Sequence, residues 1–275
     1  MYAINQAVEY VPRPNDIGTS QWVLIKADNG IVYQVKFNKG VVAHNSYEFI
    51  GNYIAQLINI PVPTGAFLLI PDFILHKCEE DLNFEIDRDK FVDNIFFGVE
   101  WIYGQVQFND THILLEEIEN TVNYREFPSI FPYDQYLRNQ DRHIDNHLII
   151  KTDIKKHYYY AIDSDKIFGG FSMSHVLAEK DEFHCFENPA YTPLYKSINE
   201  KIFQLILLYA DKIEAIDEKK LDILDEYLRD FYNIQLDLRE NIKEFLGFRK
   251  TNFSQKCISN QRCYENIKRP ILFGG

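Results

Sequence analysis

PYDQYLRNQDRHIDNHLIIKTDIKKHYYYAIDSDKIF, residues 132–168, is the stretch on which the reading of this chain turns. Two short β-rich runs, Leu148–Ile150 and Tyr158–Ile162, flank a polar turn rich in Lys and Asp, which is the pattern of a hairpin. Such a hairpin brings Asn146, ahead of its first strand, close to Asp163, just after its second, with Asp141 on the entering loop. An acid, an amide and a second acid then converge on one small volume. Two carboxylates and an amide oxygen suit a hard cation such as magnesium, which takes oxygen ligands and keeps positions open for phosphate.

Working back to the N-terminus, Ala7 to Phe37 reads strand, turn, strand, turn, strand. Gly18-Thr19-Ser20 breaks the first pair, and Asp28-Asn29-Gly30 marks a tight turn before IVYQVKF. In that run Ile31, Tyr33 and Val35 alternate with Val32, Gln34 and Lys36, so Lys36 ends a strand. Alone, a strand-end lysine is ordinary surface. Ser46–Ile58 then places Phe49, Ile50, Tyr53, Ile54, Leu57 and Ile58 at helical spacing, with Asn45 or Ser46 as N-cap. Glu48 falls in the expected first turn, where the helix dipole alone favours an acid. The lysine shortly before it offers a second use: Glu48 can pair with Lys36 and hold that amine against nucleotide phosphates. Gly51, Asn52 and Ala55 share its side, and small residues there let another element come close.

Pro61 ends the helix, and Gly65–Ile70 and Phe73–His76 read as strands. Residues 1–76 thus form a small β-rich lobe with one helix, and 77–105 an insertion and lobe boundary. Within the latter, Phe96-Phe97-Gly98-Val99-Glu100-Trp101 reads as a buried turn, or as a place where Gly98 lets the backbone approach a ligand. Short helices are expected over Ile113–Val122 and Phe131–Arg138, and amphipathic ones over Ile198–Ala210, Leu221–Phe231 and Ile234–Leu246. They make residues 106–250 a mainly helical C-terminal lobe, followed by a polar tail over 251–275.

The net charge of −12 argues against a broad nucleic-acid-binding surface, which needs basic charge to meet phosphates. Cys78, Cys185, Cys257 and Cys263 contain no CxxC, so neither a disulfide framework nor a zinc site is indicated. The longest apolar candidate, Ile60–Leu75, is cut by Pro61, Pro63 and Pro71, and the N-terminus lacks a signal pattern. The expectation is a cytoplasmic protein with no membrane contact.

Asp141 and Asn146 have the spacing of the Asp and Asn in the protein-kinase catalytic loop. Here Arg142 and His143 follow the Asp, and this DRHxxN order resembles HipA-like, lipid and atypical kinases rather than the common eukaryotic protein kinases. The GTS turn, YQVKF, Glu48, LINIPVP (Leu57–Pro63), FFGVEW, DRHxxN and AIDSDKIF occur in order between Ala7 and Phe168. That stretch resembles the compact single-chain HipA-like kinases. The resemblance implies an α+β, bilobal protein-kinase-like fold, with a small β-rich N-lobe carrying one helix and a larger, mainly helical C-lobe. It implies ATP and Mg2+, and transfer of the γ-phosphoryl group to a Ser or Thr hydroxyl of a protein, with room for an antitoxin or regulatory partner.

By position, Lys36 would hold the phosphates, Glu48 would orient Lys36, and Asp141 would be the catalytic base. Asn146 and Asp163 would ligate metal, and Gly18, Thr19 and Ser20 would cover the nucleotide. The family commonly has His after the metal-binding Asp. Here Ser164 and Asp165 follow, so Asp165 joins the candidate ligands or replaces Asp163. The turn at 18–20 is also glycine-poor beside a GxGxxG loop.

Other readings remain. A pseudokinase or nucleotide-binding regulatory module would keep the fold without transfer, and a lipid or small-molecule kinase would share the DRHxxN order. His143 and His147 have the i, i+4 spacing of helical zinc ligands, but the HExxH signature needs Glu at 144, where Ile144 stands.

Overall fold

Strands β1 (Ile4–Val11), β2 (Trp22–Ala27), β3 (Val32–Lys36), β4 (Gly65–Leu69) and β5 (Ile95–Glu100) close into a barrel in the order β1-β2-β3-β5-β4. The computed structural model describes residues 2–14, 21–37, 43–106, 111–152, 156–170 and 200–258. All neighbouring barrel strands run antiparallel except β1 and β4, whose parallel pairing closes the ring and leaves no open edge. The β2–β3 connection is the expected tight turn. Gly30 takes a φ of 82°, which the turn demands, and the Asn29 side chain accepts from the Ile31 N–H at 3.0 Å.

Two local expectations fail here. FFGVE is strand β5, not a turn, and the close neighbour that Gly98 admits is β3 rather than a ligand. A Cβ at Gly98 would lie 3.1 Å from both Tyr33 Cβ and Val35 Cγ2. Phe73–His76 is not a strand but the start of helix α2 (Asp72–Leu82; α1 is described below). Ile74, Leu75 and Cys78 are its buried residues, and a stretch as short as Phe73–His76 cannot distinguish that spacing from a buried strand. Helix α2 packs on β1 and β2, so the β-rich part carries two helices instead of one.

Helix α1 (His44–Ile58) is buried over most of its length, because it has a wall on nearly every side. The Phe49 ring sits 5.1 Å from Phe67 and 5.4 Å from Phe97 of the barrel, and 5.5 Å from Tyr227 of a helix much later in the chain. Burying a ring of this size in edge-to-face or tilted contact contributes a few kcal/mol in all, roughly 2–3 from area alone.

Beyond the barrel come α3 (Thr111–Glu119), α4 (Ile130–Leu137), α5 (Glu200–Glu214), α6 (Glu218–Phe231) and α7 (Leu236–Lys250). A three-stranded antiparallel sheet joins them: β6 (Gln105–Val106), β7 (His147–Thr152) and β8 (Lys156–Ala161). The hairpin read from the sequence is β7–β8. Helix α4, which leads into residues 139–146, is entirely buried against α5 and α7. The end of α6 returns to the barrel, where Phe231 stacks on Phe67 at 4.2 Å. No helix among the described residues is long and apolar enough to cross a membrane.

Candidate active site

Three strand ends and one helix build the site. Alternation along β3 puts Tyr33 and Val35 on one face and Lys36 on the other, toward α1. Lys36 Nζ lies 2.7 Å from Glu48 Oε1, 2.6 Å from Asp163 Oδ1 and 3.4 Å from Asp165 Oδ2. Glu48 is on α1 but not in its first turn, since the helix begins at His44. Its position therefore owes nothing to the helix dipole and answers to Lys36. The expected cap at Asn45 or Ser46 is also absent. Ala43 is the N-cap, and the Asn45 side chain is committed elsewhere.

The segment after β8 is held from several sides. Ile162 N–H donates to Asn146 O at 3.1 Å, which joins the end of the hairpin to its start. Asp163 then takes a φ of 64°, a left-handed conformation uncommon outside glycine and characteristic of constrained sites. Ser164 N–H donates to Glu48 Oε1 at 3.0 Å, and Ser164 Oγ lies 3.0 Å from Tyr133 OH. Gly51 permits this approach: a Cβ there would meet Ser164 Cβ at 2.3 Å. His44 Nδ1, at the start of α1, sits 3.3 Å from Asp165 Oδ2.

Arg142 organises the loop before β7. It is 1% exposed, and it pairs with the equally buried Asp134 of α4 through Nε–Oδ2 at 3.0 Å and Nη2–Oδ1 at 2.9 Å. Its Nη1 donates to the carbonyls of Asn146, at 3.3 Å, and of Ile162. The guanidinium thus ties the entry and exit of the hairpin to α4. Burial raises the Asp134 carboxyl above its ordinary value, and the Arg142 charge opposes the rise. Asp141 is tied in through its backbone: its N–H donates to Asn139 Oδ1 at 3.1 Å and its carbonyl accepts from Asn146 Nδ2 at 2.6 Å. The Asp141 side chain stays on the exposed surface. With its nitrogen engaged, Asn146 has the amide oxygen left to offer a ligand.

His143 and His147 do not form a helical pair. His147 opens strand β7, is buried, and lies 3.0 Å from Tyr159 OH through Nδ1, whereas His143 Nδ1 accepts from Asp145 N–H. Among the described residues, no group of three or more His, Cys, Asp or Glu side chains is arranged to hold a metal by itself. Two carboxylates and an amide suit an ion that takes its other ligands from water and phosphate, as magnesium does.

The electrostatics point the same way. Three carboxylates share one ammonium. Burial pushes the Glu48 carboxyl up to about 7, with Lys36 opposing and Asp163 and Asp165 reinforcing the rise. Burial disfavours the Lys36 charge, yet the Glu48, Asp163 and Asp165 charges outweigh it and hold its ammonium well above the ordinary lysine range. Burial also works against the Asp165 carboxylate, but His44 and Lys36 keep it well below the usual range. The cluster carries surplus negative charge, which a divalent cation would neutralise. Gly18, Thr19 and Ser20, read as the nucleotide cover, lie outside the described residues.

No protein-family model and no curated protein matches the sequence. Among solved structures, the crystal structure of a Helicobacter pylori proinflammatory kinase, CtkA, is similar with a TM-score of 0.59 and 14% identity, over 94% of this chain and 98% of that one. The chain has the fold of a kinase. A chain of the Shewanella oneidensis MR-1 toxin–antitoxin complex of HipA, HipB and operator DNA gives a TM-score of 0.49 at 11% identity, over 94% of this chain and 67% of that one. Within the kinase fold the sequence-read residues Lys36, Glu48, Asp163 and Asp165 meet directly, and Asp141 and Asn146 are bonded to each other.

Sequence reasoning did not single out His44 or Tyr133, and it named Asn45 only as a helix cap and Ser164 only as the neighbour of Asp163. Of Gly51, Asn52 and Ala55, read as the side of α1 open to another element, Gly51 is the one against which Ser164 packs.

Proposed function

We propose that this chain is a two-lobed, HipA-like kinase that transfers the γ-phosphoryl group of ATP to a Ser or Thr hydroxyl of a protein. The observation that carries this reading is Lys36, held 2.7 Å from Glu48 and 2.6 Å from Asp163 by elements far apart in sequence. Phosphoryl transfer needs a positioned cation for phosphate oxygens and anionic ligands for metal more than it needs covalent chemistry.

In this reading Lys36 binds phosphate oxygens and Glu48 keeps its amine aimed. Asn146 and Asp163 would hold magnesium, with Asp165 as an adjoining ligand, and Gly18, Thr19 and Ser20 would lie over the nucleotide. Magnesium, when bound, neutralises charge on the phosphate oxygens. Asp141 takes the proton of the acceptor hydroxyl as that oxygen bonds to the γ-phosphorus. The bond from phosphorus to the bridging oxygen breaks, and ADP leaves. The exposed position of Asp141 suits a hydroxyl presented on another protein. The antitoxin or regulatory partner implied by the sequence resemblance belongs to the same proposal.

The test is incubation of the purified protein with labelled ATP and magnesium, beside Asp141→Ala and Asp163→Ala. Label on protein, or magnesium-dependent ATP turnover, should vanish in both variants, with nucleotide binding spared in Asp141→Ala. Turnover retained by Asp141→Ala would remove it as the base. A wild-type protein with no affinity for MgATP would end the kinase reading.

A further inference from the structure

Asn45 is fully buried near the start of α1, and its amide spans three elements. Nδ2 donates to Lys36 O at 2.7 Å and to Phe97 O at 2.8 Å, while Oδ1 accepts from Phe97 N–H at 2.9 Å. The fourth bond comes from outside the barrel: Tyr232 OH, just past α6, donates to Oδ1 at 2.9 Å, from 187 positions away in the chain. Tyr232 is 2% exposed, so no water competes for this hydroxyl.

One side chain therefore fixes the backbone of Lys36 against the helix that carries Glu48, and a second clamps the first. We infer that Asn45 and Tyr232 are positioning residues for the phosphate-binding lysine, and that the helical C-terminal segment sets the Lys36–Glu48 geometry through them. The inference rests on the kinase reading above. It adds that α1 is held in its paired position from within the chain, by Tyr232, whose hydroxyl bonds Asn45 rather than any member of the Lys36 cluster. A shift of Asn45 moves both partners of the pair at once, since it bonds the Lys36 carbonyl and belongs to the Glu48 helix.

Tyr232→Phe removes one hydroxyl and keeps the ring between Phe49 and Phe91. Calorimetric titration with MgATP separates the two ways it could act. A purely structural loss lowers the urea midpoint but leaves Kd unchanged while the chain stays folded at the titration temperature, and irreversibly misfolded protein lowers only the stoichiometry. Displacement of Lys36 weakens Kd at full stoichiometry, by roughly three- to tenfold for one buried hydrogen bond. Tyr227→Phe is the control: its hydroxyl accepts from Tyr2 N–H at 3.1 Å in the same aromatic cluster, away from Asn45.

A weaker Kd for Tyr232→Phe, with wild-type Kd for Tyr227→Phe, supports the assignment. An unchanged Kd for Tyr232→Phe overturns it while leaving the kinase reading intact, and equal weakening in both variants overturns it as well. If the wild-type chain does not bind MgATP, the kinase reading fails and this inference falls with it. Asn45→Ala should weaken Kd further than Tyr232→Phe, because it also frees the Lys36 carbonyl; the reverse order would refute the proposed chain of contacts.

Discussion

Gly51→Ala adds one methyl group where α1 meets the Asp163–Asp165 segment. The new Cβ would lie 2.3 Å from Ser164 Cβ, 2.6 Å from its Oγ and 2.9 Å from Tyr133 OH. Carbon atoms pack at about 3.5–4.0 Å, so helix and loop must separate by roughly 1.2 Å or more. Two effects on stability oppose each other. Alanine favours the helix over glycine by about 1 kcal/mol, whereas overpacking costs about 1–3 kcal/mol. The net loss is then about 2 kcal/mol at most, and the protein should still fold.

Function should suffer more. Ser164 donates to Glu48 and stands between Asp163 and Asp165, so the displacement falls on the metal-binding and lysine-orienting groups together. A misplacement of about 1 Å in a positioned site costs on the order of 100-fold in rate. Urea unfolding and magnesium-dependent ATP turnover, measured on one preparation, would show a small stability change beside a large activity loss. Ser164→Gly in the Gly51→Ala background removes the nearest two clashing atoms and should restore part of the rate, a coupling that distant sites would not show. Wild-type turnover and MgATP affinity in Gly51→Ala would refute the reasoning.

Arg142→Ala removes the guanidinium paired with the buried Asp134 and takes a donor from the carbonyls of Asn146 and Ile162, and should destabilise by about 3–5 kcal/mol in urea unfolding; a loss under about 1 kcal/mol would show that the pair is dispensable. Glu48 supplies a pH signature. Its folded carboxyl titrates near 7, raised by burial from 4.5, so its protonation favours folding below about 4.5 and that contribution is lost as pH rises through 7. The difference amounts to about 3 kcal/mol. Without metal, the stability of wild type relative to Glu48→Gln should fall over that window, and a constant difference would contradict the shift. Cys78 and Cys257 are buried thiols pushed up to about 12 by burial, and a thiol reagent at pH 8 should label them only after unfolding; rapid labelling of either in the folded protein would argue against their burial.

Much of the site could be read from the sequence because its parts are local patterns. Alternation in IVYQVKF placed Lys36 at a strand end, and helical spacing placed Glu48 on the next element. The β-rich runs about a polar turn placed Asn146 and Asp163 at the two ends of one hairpin. Period and turn chemistry are properties of a few neighbouring residues, so they survive without coordinates. Where the local signal was short it misled: Phe73–His76 began a helix, and FFGVE was a strand because β3 and β4 lay ready on either side to pair with it.

What only the tertiary structure decided are the contacts that make these pieces one site. Ser164 reaches Glu48 across 116 positions, and Tyr232 reaches Asn45 across 187. Gly51 is needed because Ser164 presses on it, and Arg142 is buried because Asp134 waits beneath it. Each partner is an ordinary residue in its own neighbourhood, and its role exists only once packing has brought the other within hydrogen-bonding distance.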